Sequence, residues 1–360
     1  MRIAIDVSPV VYETGVSYYT KNLVNALLQL NEEDEFVLFG GALRRKGELD
    51  NFVNSLRQKN VRKRTFFLPP SALSFVWNDL HKFPIENFTG SLNVFHSSDW
   101  TQPPTSAYKV TTIHDLVPLR FPEISHPKIV ETHKKRLSWV VKEVDKIIAV
   151  STFTKDEIVG LLGIEPKRIV VIPEAADPGL VPVSRERVRR VIKNLGLTRD
   201  YLLVVGADPR KNIPAIIQAF GKIRKEADLD LVITGRFWED VPKEPGIIAL
   251  GHMPREDLRS LYAGAQALVY TSLYEGFGLP ILEAMQLGCP VVTSNISSMP
   301  EVAGEAAVLV DPTNPTVIAS GIEKVLSERE IWIEKGLGRA KEFSWENTAK
   351  LTFKVYKEGV

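Results

Sequence analysis

Short, nearly uninterrupted apolar runs recur along this chain, and longer amphipathic runs separate them. In the first half the apolar runs are Arg2–Val7, Glu35–Phe39, Arg64–Leu68, Val94–Ser97, Lys109–Ile113, Lys146–Val150 and Arg168–Ile172. In the second half they are Tyr201–Val205, Leu229–Thr234, Ile247–Leu250, Ala267–Thr271, Pro290–Thr293 and Ala307–Val310. A strand that is apolar on both faces needs cover on both faces, which is what strands of a parallel sheet receive. Helical patterns fill the intervals: Ser17–Leu30, Pro127–Glu143, Thr152–Leu162, Arg185–Leu195, Ile213–Lys225, Arg255–Ala263, Pro280–Leu287 and Pro315–Leu326. Such alternation predicts an α/β fold built on parallel sheets.

A chain of 360 residues is long for one core, so two domains are expected. The break falls at "VIPEAADPGLVPVS", residues 171–184, where three prolines cluster and a fresh strand–helix series begins. The expected division is 1–175, 176–342 and a last helix over 343–360, whose Leu351, Phe353, Val355 and Tyr356 form a stripe for docking on a neighbour. The fold class is therefore two doubly wound, Rossmann-like domains facing across a cleft. Ligands of such sheets bind outside the carboxyl ends of the strands.

Composition narrows the function. A formal net charge of +1 gives no basic excess for nucleic acid. One cysteine, Cys289, forbids an internal disulfide and suits a reducing, cytoplasmic setting. The N-terminus turns polar too early for a signal peptide, and no apolar run has the length of a membrane span. The stretch 44–64, "RRKGELDNFVNSLRQKNVRKR", is locally basic; it reads as a solvated surface, or as a peripheral contact with anionic lipid on the inner face of the membrane. No G-x-G-x-x-G, Walker A, H-E-x-x-H or G-x-S-x-G is present. The six histidines show no zinc spacing, so no metal or other cofactor is expected.

Four stretches carry chemistry. "SLYEGFGLPILEA", residues 272–284, puts a glycine loop after a buried strand and Pro280 in the first turn of a helix. Loop amides and the helix N-terminus there make an anion site. Glu275 and Glu283 flank it, either as solvated cap charges or as acceptors for the hydroxyls of a diol. "VVGADPRKN" sets Arg210 and Lys211 at another strand end, where they either neutralise a diphosphate or form an ordinary basic turn. "TTIHDL" ends a strand on His114, and "ETGVSYYTKNL" sets Gly15 between the first strand and first helix. A histidine bonded at a sheet edge and a plain helix-cap turn are the bland alternatives.

Together these residues resemble family 4 retaining glycosyltransferases, which have the GT-B fold. Glu275 and Glu283 match the family's E-x7-E pair, and "RKN", "HDL", "GVSYYTKNL" and "FSW" at 343–345 fall in family order. The resemblance implies that Glu283 binds the ribose hydroxyls of a nucleotide sugar. It implies that Glu275, with the amides of Gly276, Phe277 and Gly278, holds the donor sugar, and that Leu279 belongs to the same donor-binding set. Lys211, helped by Arg210, would neutralise the diphosphate. Gly15 would let its loop close over that diphosphate, His114 would line the reaction centre, Met253 would lie against the base, and the last helix would cross back and pack on the first domain. The implied reaction moves a hexose to a hydroxyl of a glycan or lipid-linked acceptor, with retention and without metal. GDP-mannose and UDP-glucose both suit it, with a lean to GDP-mannose from "TTIHDLVPLRFPE". A nucleotide-sugar 2-epimerase and a two-domain sugar-binding protein are the alternatives. Three positions depart from the family pattern: Ser17 stands for a second glycine, Ala207 for an arginine, and "IPEAAD" for "IPNGVD".

Overall fold

A computed structural model describes residues 1–224, 228–237, 242 and 244–359 of the chain. The chain divides into two compact units, Met1–Glu174 with Ser344–Val360, and Ala175–Phe343.

The first unit holds seven strands: β1 (Arg2–Asp6), β2 (Glu35–Ala42), β3 (Val61–Phe67), β4 (Val94–Ser97), β5 (Tyr108–Ile113), β6 (Lys146–Ala149) and β7 (Ile169–Val171). They pair in the order β3-β2-β1-β4-β5-β6-β7, every pair parallel. The chain runs outward from β1 to β3, then returns to place β4 on the other side of β1. Between β1 and β4 successive loops therefore diverge, which opens a crevice at the carboxyl ends. Phe39, Trp77 and Phe88 pack as edge-on and tilted rings beneath β2, and Trp77 is fully buried with its Nε1–H donated to Phe83 O. Truncating Trp77 to alanine would cost about 3–5 kcal/mol.

The second unit holds β8 (Asp200–Val205), β9 (Leu229–Thr234), β10 (Ile247–Gly251), β11 (Ala267–Tyr270), β12 (Val291–Ser294) and β13 (Val308–Val310). Their order is β10-β9-β8-β11-β12-β13, again all parallel. The reversal here lies between β8 and β11. Leu202, Val204, Ile233 and Val269 of the sheet pack with Ile216, Phe220, Ile318 and Ile322 of the covering helices.

Each of the thirteen expected strands is present, with ends moved by a few residues at most. The helices differ more. The first runs Gly15–Leu30 rather than from Ser17, because Thr14 caps it. Thr14 Oγ1 accepts from Ser17 N while Ser17 Oγ accepts from Thr14 N, a reciprocal capping box that draws two more residues into the helix. The helix expected from Pro280 starts at Leu279 and ends at Gln286, with Gly278 as its cap. The helix expected over Ile213–Lys225 runs Ile213–Ile223, and Lys225 lies outside the described residues. The basic stretch 44–64 contains an unexpected helix, Lys46–Ser55, where Lys46 pairs with Asp50 at 2.5 Å. The last helix, Trp345–Lys357, belongs to the first unit. Its buried face is Trp345, Thr348, Ala349, Thr352, Phe353, Val355 and Tyr356; Leu351 is only half-buried. Burying the two threonines is affordable in part because Thr348 Oγ1 donates to Pro173 O.

Candidate functional site

In the second unit the crevice between β8 and β11 is walled by two loops. The first leaves β8 through Gly206, whose φ of 87° is left-handed. A Cβ at Gly206 would lie 2.7 Å from Lys211 Cε, so glycine is what lets the lysine side chain cross the strand end. Pro209–Lys211 then form a single 3-10 turn, capped by Asp208, which accepts from Arg210 N and, at 3.0 Å, from Arg210 Nε. Asn212 closes the turn in the left-handed region, a conformation its short amide tolerates. Its Nδ2 donates to Thr271 O and to Pro312 O, tying the loop to the ends of β11 and β13.

The second loop follows Tyr270 at the end of β11. Ser297 and Ser298 staple it: Ser297 Oγ accepts from Glu275 N and donates to Glu275 O, and Ser298 Oγ lies 2.9 Å from Glu275 O and 2.8 Å from Phe277 O. Gly278, at φ 103°, then turns the chain into the Leu279–Gln286 helix. Tyr274, Glu275, Gly276, Phe277 and Gly278 are all buried. The loop is thus a fixed frame, which is what a preorganised binding surface requires.

Lys211 Nζ lies 2.6 Å from Glu275 Oε1 and 2.7 Å from Tyr270 Oη. Arg210 Nη1 lies 3.9 Å from Glu275 Oε2. Burial works against the charged form of Glu275, but Lys211 and Arg210 outweigh it and hold the carboxyl below its ordinary range. Burial likewise opposes the Lys211 ammonium, and the Glu275 and Tyr270 oxygens outweigh it and raise its pKa. Each residue keeps the other ionised. An ammonium has three donors, and among the described residues two of these are taken, so one is left for an incoming oxygen.

Glu283 sits in the helix with a different set of partners. Its Oε2 accepts from the Tyr262 hydroxyl at 3.1 Å, and Arg255 Nη2 stands 3.5 Å from Oε1 while pairing with Asp177 at 2.7 Å. Burial raises its pKa, and Arg255 and the Tyr262 hydrogen bond only partly offset that. Met253 lies half-buried between β10 and the Arg255–Gly264 helix, two residues before Arg255. The loops thus bring Glu275, Lys211 and Arg210 into one cluster, and Glu283 into a second one with Arg255. The sequence reading overlooked Tyr270, Tyr262, Arg255 and Ser297. Tyr270 carried a signal: a phenol at the last position of an otherwise aliphatic strand.

In the first unit the crevice between β1 and β4 encloses a cavity of about 20 Å³ lined by Asp6, Tyr19, His96, Asp99, Thr112 and His114 among others. That is room for about one water. His114 follows β5 and its Nδ1 lies 2.7 Å from Glu174 Oε1. The Tyr19 ring meets the imidazole edge-on at 4.5 Å. Burial pulls the His114 pKa down, but the Glu174 hydrogen bond and charge, with Asp99 and Asp115, outweigh it and raise it. His96 has no carboxylate on its ring; it is bonded to Tyr356 Oη and Thr112 Oγ1, and burial pushes it down to about 3. Gly15 is exposed in the first helical turn, and a Cβ there would meet nothing within 4 Å.

Against known proteins the overall fold is of the GT-B type. It resembles sucrose-phosphate synthase of Thermosynechococcus elongatus (TM-score 0.72, 18% identity, 99% of this chain and 98% of that one). It also resembles an Anabaena protein solved with UDP-glucose, Alr3699/HepE (TM-score 0.71, 15% identity, 99% of this chain and 100% of that one). Residues 14–180 match the pattern described as Glycosyltransferase Family 4, and residues 186–338 match Glycosyl transferases group 1. Over 99% of this chain and 100% of the relative's length, the sequence is 34% identical to O-antigen chain mannosyltransferase B of Escherichia coli. The chain belongs to the family 4 glycosyltransferases, and the epimerase and sugar-binding alternatives fall away with that membership.

Proposed function

We propose that this enzyme is a retaining, metal-independent mannosyltransferase that moves mannose from GDP-mannose to a hydroxyl of a growing glycan, in polysaccharide or O-antigen synthesis. The full-length similarity to an O-antigen mannosyltransferase supports the sugar and the product class. The observation that carries the chemistry is the Lys211–Glu275–Tyr270 cluster at the β8–β11 crevice, with one ammonium donor uncommitted among the described residues. When the sugar–diphosphate bond breaks, negative charge grows on the leaving oxygens. Lys211, Arg210 and the amides at Gly278 and Leu279 meet that charge without having to reorganise. Protein cations in that role do the work a metal would otherwise do.

Glu275 Oε2 and the amides of Gly276 and Phe277 take donor hydroxyls, Glu283 takes the ribose diol, and Met253 lies against the base. His114 and Gly15 act from the first unit. We assign neither glutamate as a covalent nucleophile: both belong to the loop and helix of the donor side, Glu275 paired with Lys211 and Glu283 with Tyr262 and Arg255, and retaining glycosidases instead place acid and nucleophile on opposite sides of the bond. The test is a panel of nucleoside-diphosphate sugars with a mannose-terminated acceptor, run with and without a chelator. GDP-mannose turning over fastest, unaffected by chelator, with an α-anomeric product by NMR, is expected. An inverted product, or activity lost to chelator and restored by a divalent ion, would refute the mechanism.

A peripheral membrane contact is a second reading, favoured by the surface of the first unit. Phe67, Phe75 and Phe83 are 72%, 55% and 60% exposed, and Phe67 ends the strand carrying Arg62, Lys63 and Arg64. Among the described residues no helix is long and apolar enough to cross a membrane. Co-sedimentation with anionic but not neutral vesicles is expected, and equal recovery with both would remove the idea.

A further inference from the structure

Glu174 occupies the place where the family pattern "IPNGVD" has asparagine, and in this chain it reads "IPEAAD". The substitution puts a carboxylate, 5% exposed, on Nδ1 of His114 at 2.7 Å. An asparagine amide could accept the same hydrogen bond, but it would bring no charge. The charge changes what the ring does. A carboxylate on Nδ1 fixes the tautomer and the ring plane, and it favours the imidazolium. His114 keeps 15% of its side chain exposed, and its Nε2 has no hydrogen-bond partner among the described residues.

The surroundings are consistent with one held orientation. Tyr19, on the first helix, meets the ring edge-on; its own hydroxyl is bonded to Thr112 Oγ1 and so does not compete for Nε2. The ionisable groups around His114 are Glu174, Asp99, Asp115, His96 and Tyr19. Arg136, buried on the Pro127–Glu143 helix, acts on His96 and Asp99. Among these, Glu174 alone is hydrogen-bonded to the ring.

We propose that Glu174 is a positioning residue: it holds His114 with Nδ1 protonated and turns Nε2–H outward as a hydrogen-bond donor to a hydroxyl of the bound substrate. This rests on the glycosyltransferase reading, in which His114 lines the reacting sugar. It adds a residue and a consequence. The donor form of Nε2 exists only while the ring is protonated, so Glu174 sets the pH above which the contact fails. Where the family pattern has asparagine, that limit should lie lower.

Glu174→Gln preserves the acceptor and removes the charge, and Glu174→Asn reproduces the family pattern; Glu174→Asp restores the charge. Two measurements are read on each variant whose thermal melt is cooperative. Long-range proton–nitrogen NMR of the imidazole reports the tautomer and the His114 titration without any turnover. The pH profile of kcat/KM for the donor reports the role. Wild type should keep Nδ1 protonated throughout, with its titration above that of an ordinary histidine. Gln and Asn should move both that titration and the alkaline limb of kcat/KM acidward by about one pH unit, and Asp should move both back. A His114 titration unmoved by Gln and Asn would overturn the dyad. A titration that moves while the limb stays would overturn its coupling to substrate. Wild type with the dyad signature but no transfer from any nucleotide sugar would instead overturn the functional reading, and with it the substrate contact.

Discussion

The two units share the order of six strands and one switch point, the first adding β7 at its edge, yet the crevices carry opposite chemistry. Between β8 and β11 stand Lys211 and Arg210, each matched to an acid, Glu275 or Asp208. Between β1 and β4 Asp6, Asp99, His96, His114 and several hydroxyls line the cavity together with Ile5, Pro9, Val16, Leu23 and Val24, and among the described residues no lysine or arginine lines it. A doubly wound sheet fixes where a ligand sits, and the loop residues fix which ligand. On the proposed function, phosphate belongs to the second unit, beside the Lys211 ammonium and the Arg210 guanidinium, and uncharged, hydroxyl-bearing matter to the first, where a phosphate would meet the buried Asp6 and Asp99.

The largest expected effect separates the crevices outright. Lys211→Ala should lower turnover by about 10²–10³-fold, the usual cost of removing one preorganised donor. It also leaves Glu275 buried without its main cation, so stability should fall as well. Adding Glu275→Gln should recover the melting temperature but not the activity, and recovery of activity would break the assignment.

Next comes Glu283. Its folded pKa is raised where that of Glu275 is lowered, so on acidification Glu283 takes up its proton first. Glu283→Gln should raise KM for the donor about tenfold with kcat little changed, and should remove the acid-side rise in KM expected of wild type. An effect on kcat alone would move Glu283 from nucleotide binding to the chemical step.

The smallest effects concern two glycines. Gly278→Ala forces a side chain into φ 103°, with Ile281 Cδ1 only 3.3 Å from the new Cβ, and should cost about 1–2 kcal/mol in a denaturant titration. Gly15→Ala meets open space and should leave stability within about 0.5 kcal/mol. If its activity falls nevertheless, the first turn of the Gly15–Leu30 helix approaches the diphosphate.

The strands could be read from the sequence because apolar β-branched runs leave few alternatives to a buried parallel strand. The Lys46–Ser55 helix could not, because its basic run reads as surface whatever its conformation. In the site, glycine and proline placed the YEGFG loop and the RKN turn, since both residue types constrain the backbone locally. What stayed hidden was pairing between distant loops: that Lys211 would spend itself on Glu275 across 64 residues, and that Glu174 would reach His114 across 60. Glu174 was visible only as a departure from the family pattern at the last residue before the second unit. Contacts of that kind follow from topology, which local composition does not encode.

Calorimetric titration of GDP into wild type, Lys211→Ala and Asp99→Asn tests the division of labour most directly. Affinity at least about tenfold weaker for Lys211→Ala and within about twofold of wild type for Asp99→Asn is expected. Unchanged affinity in Lys211→Ala, or an equal loss in both variants, would contradict the assignment of the diphosphate to the second unit.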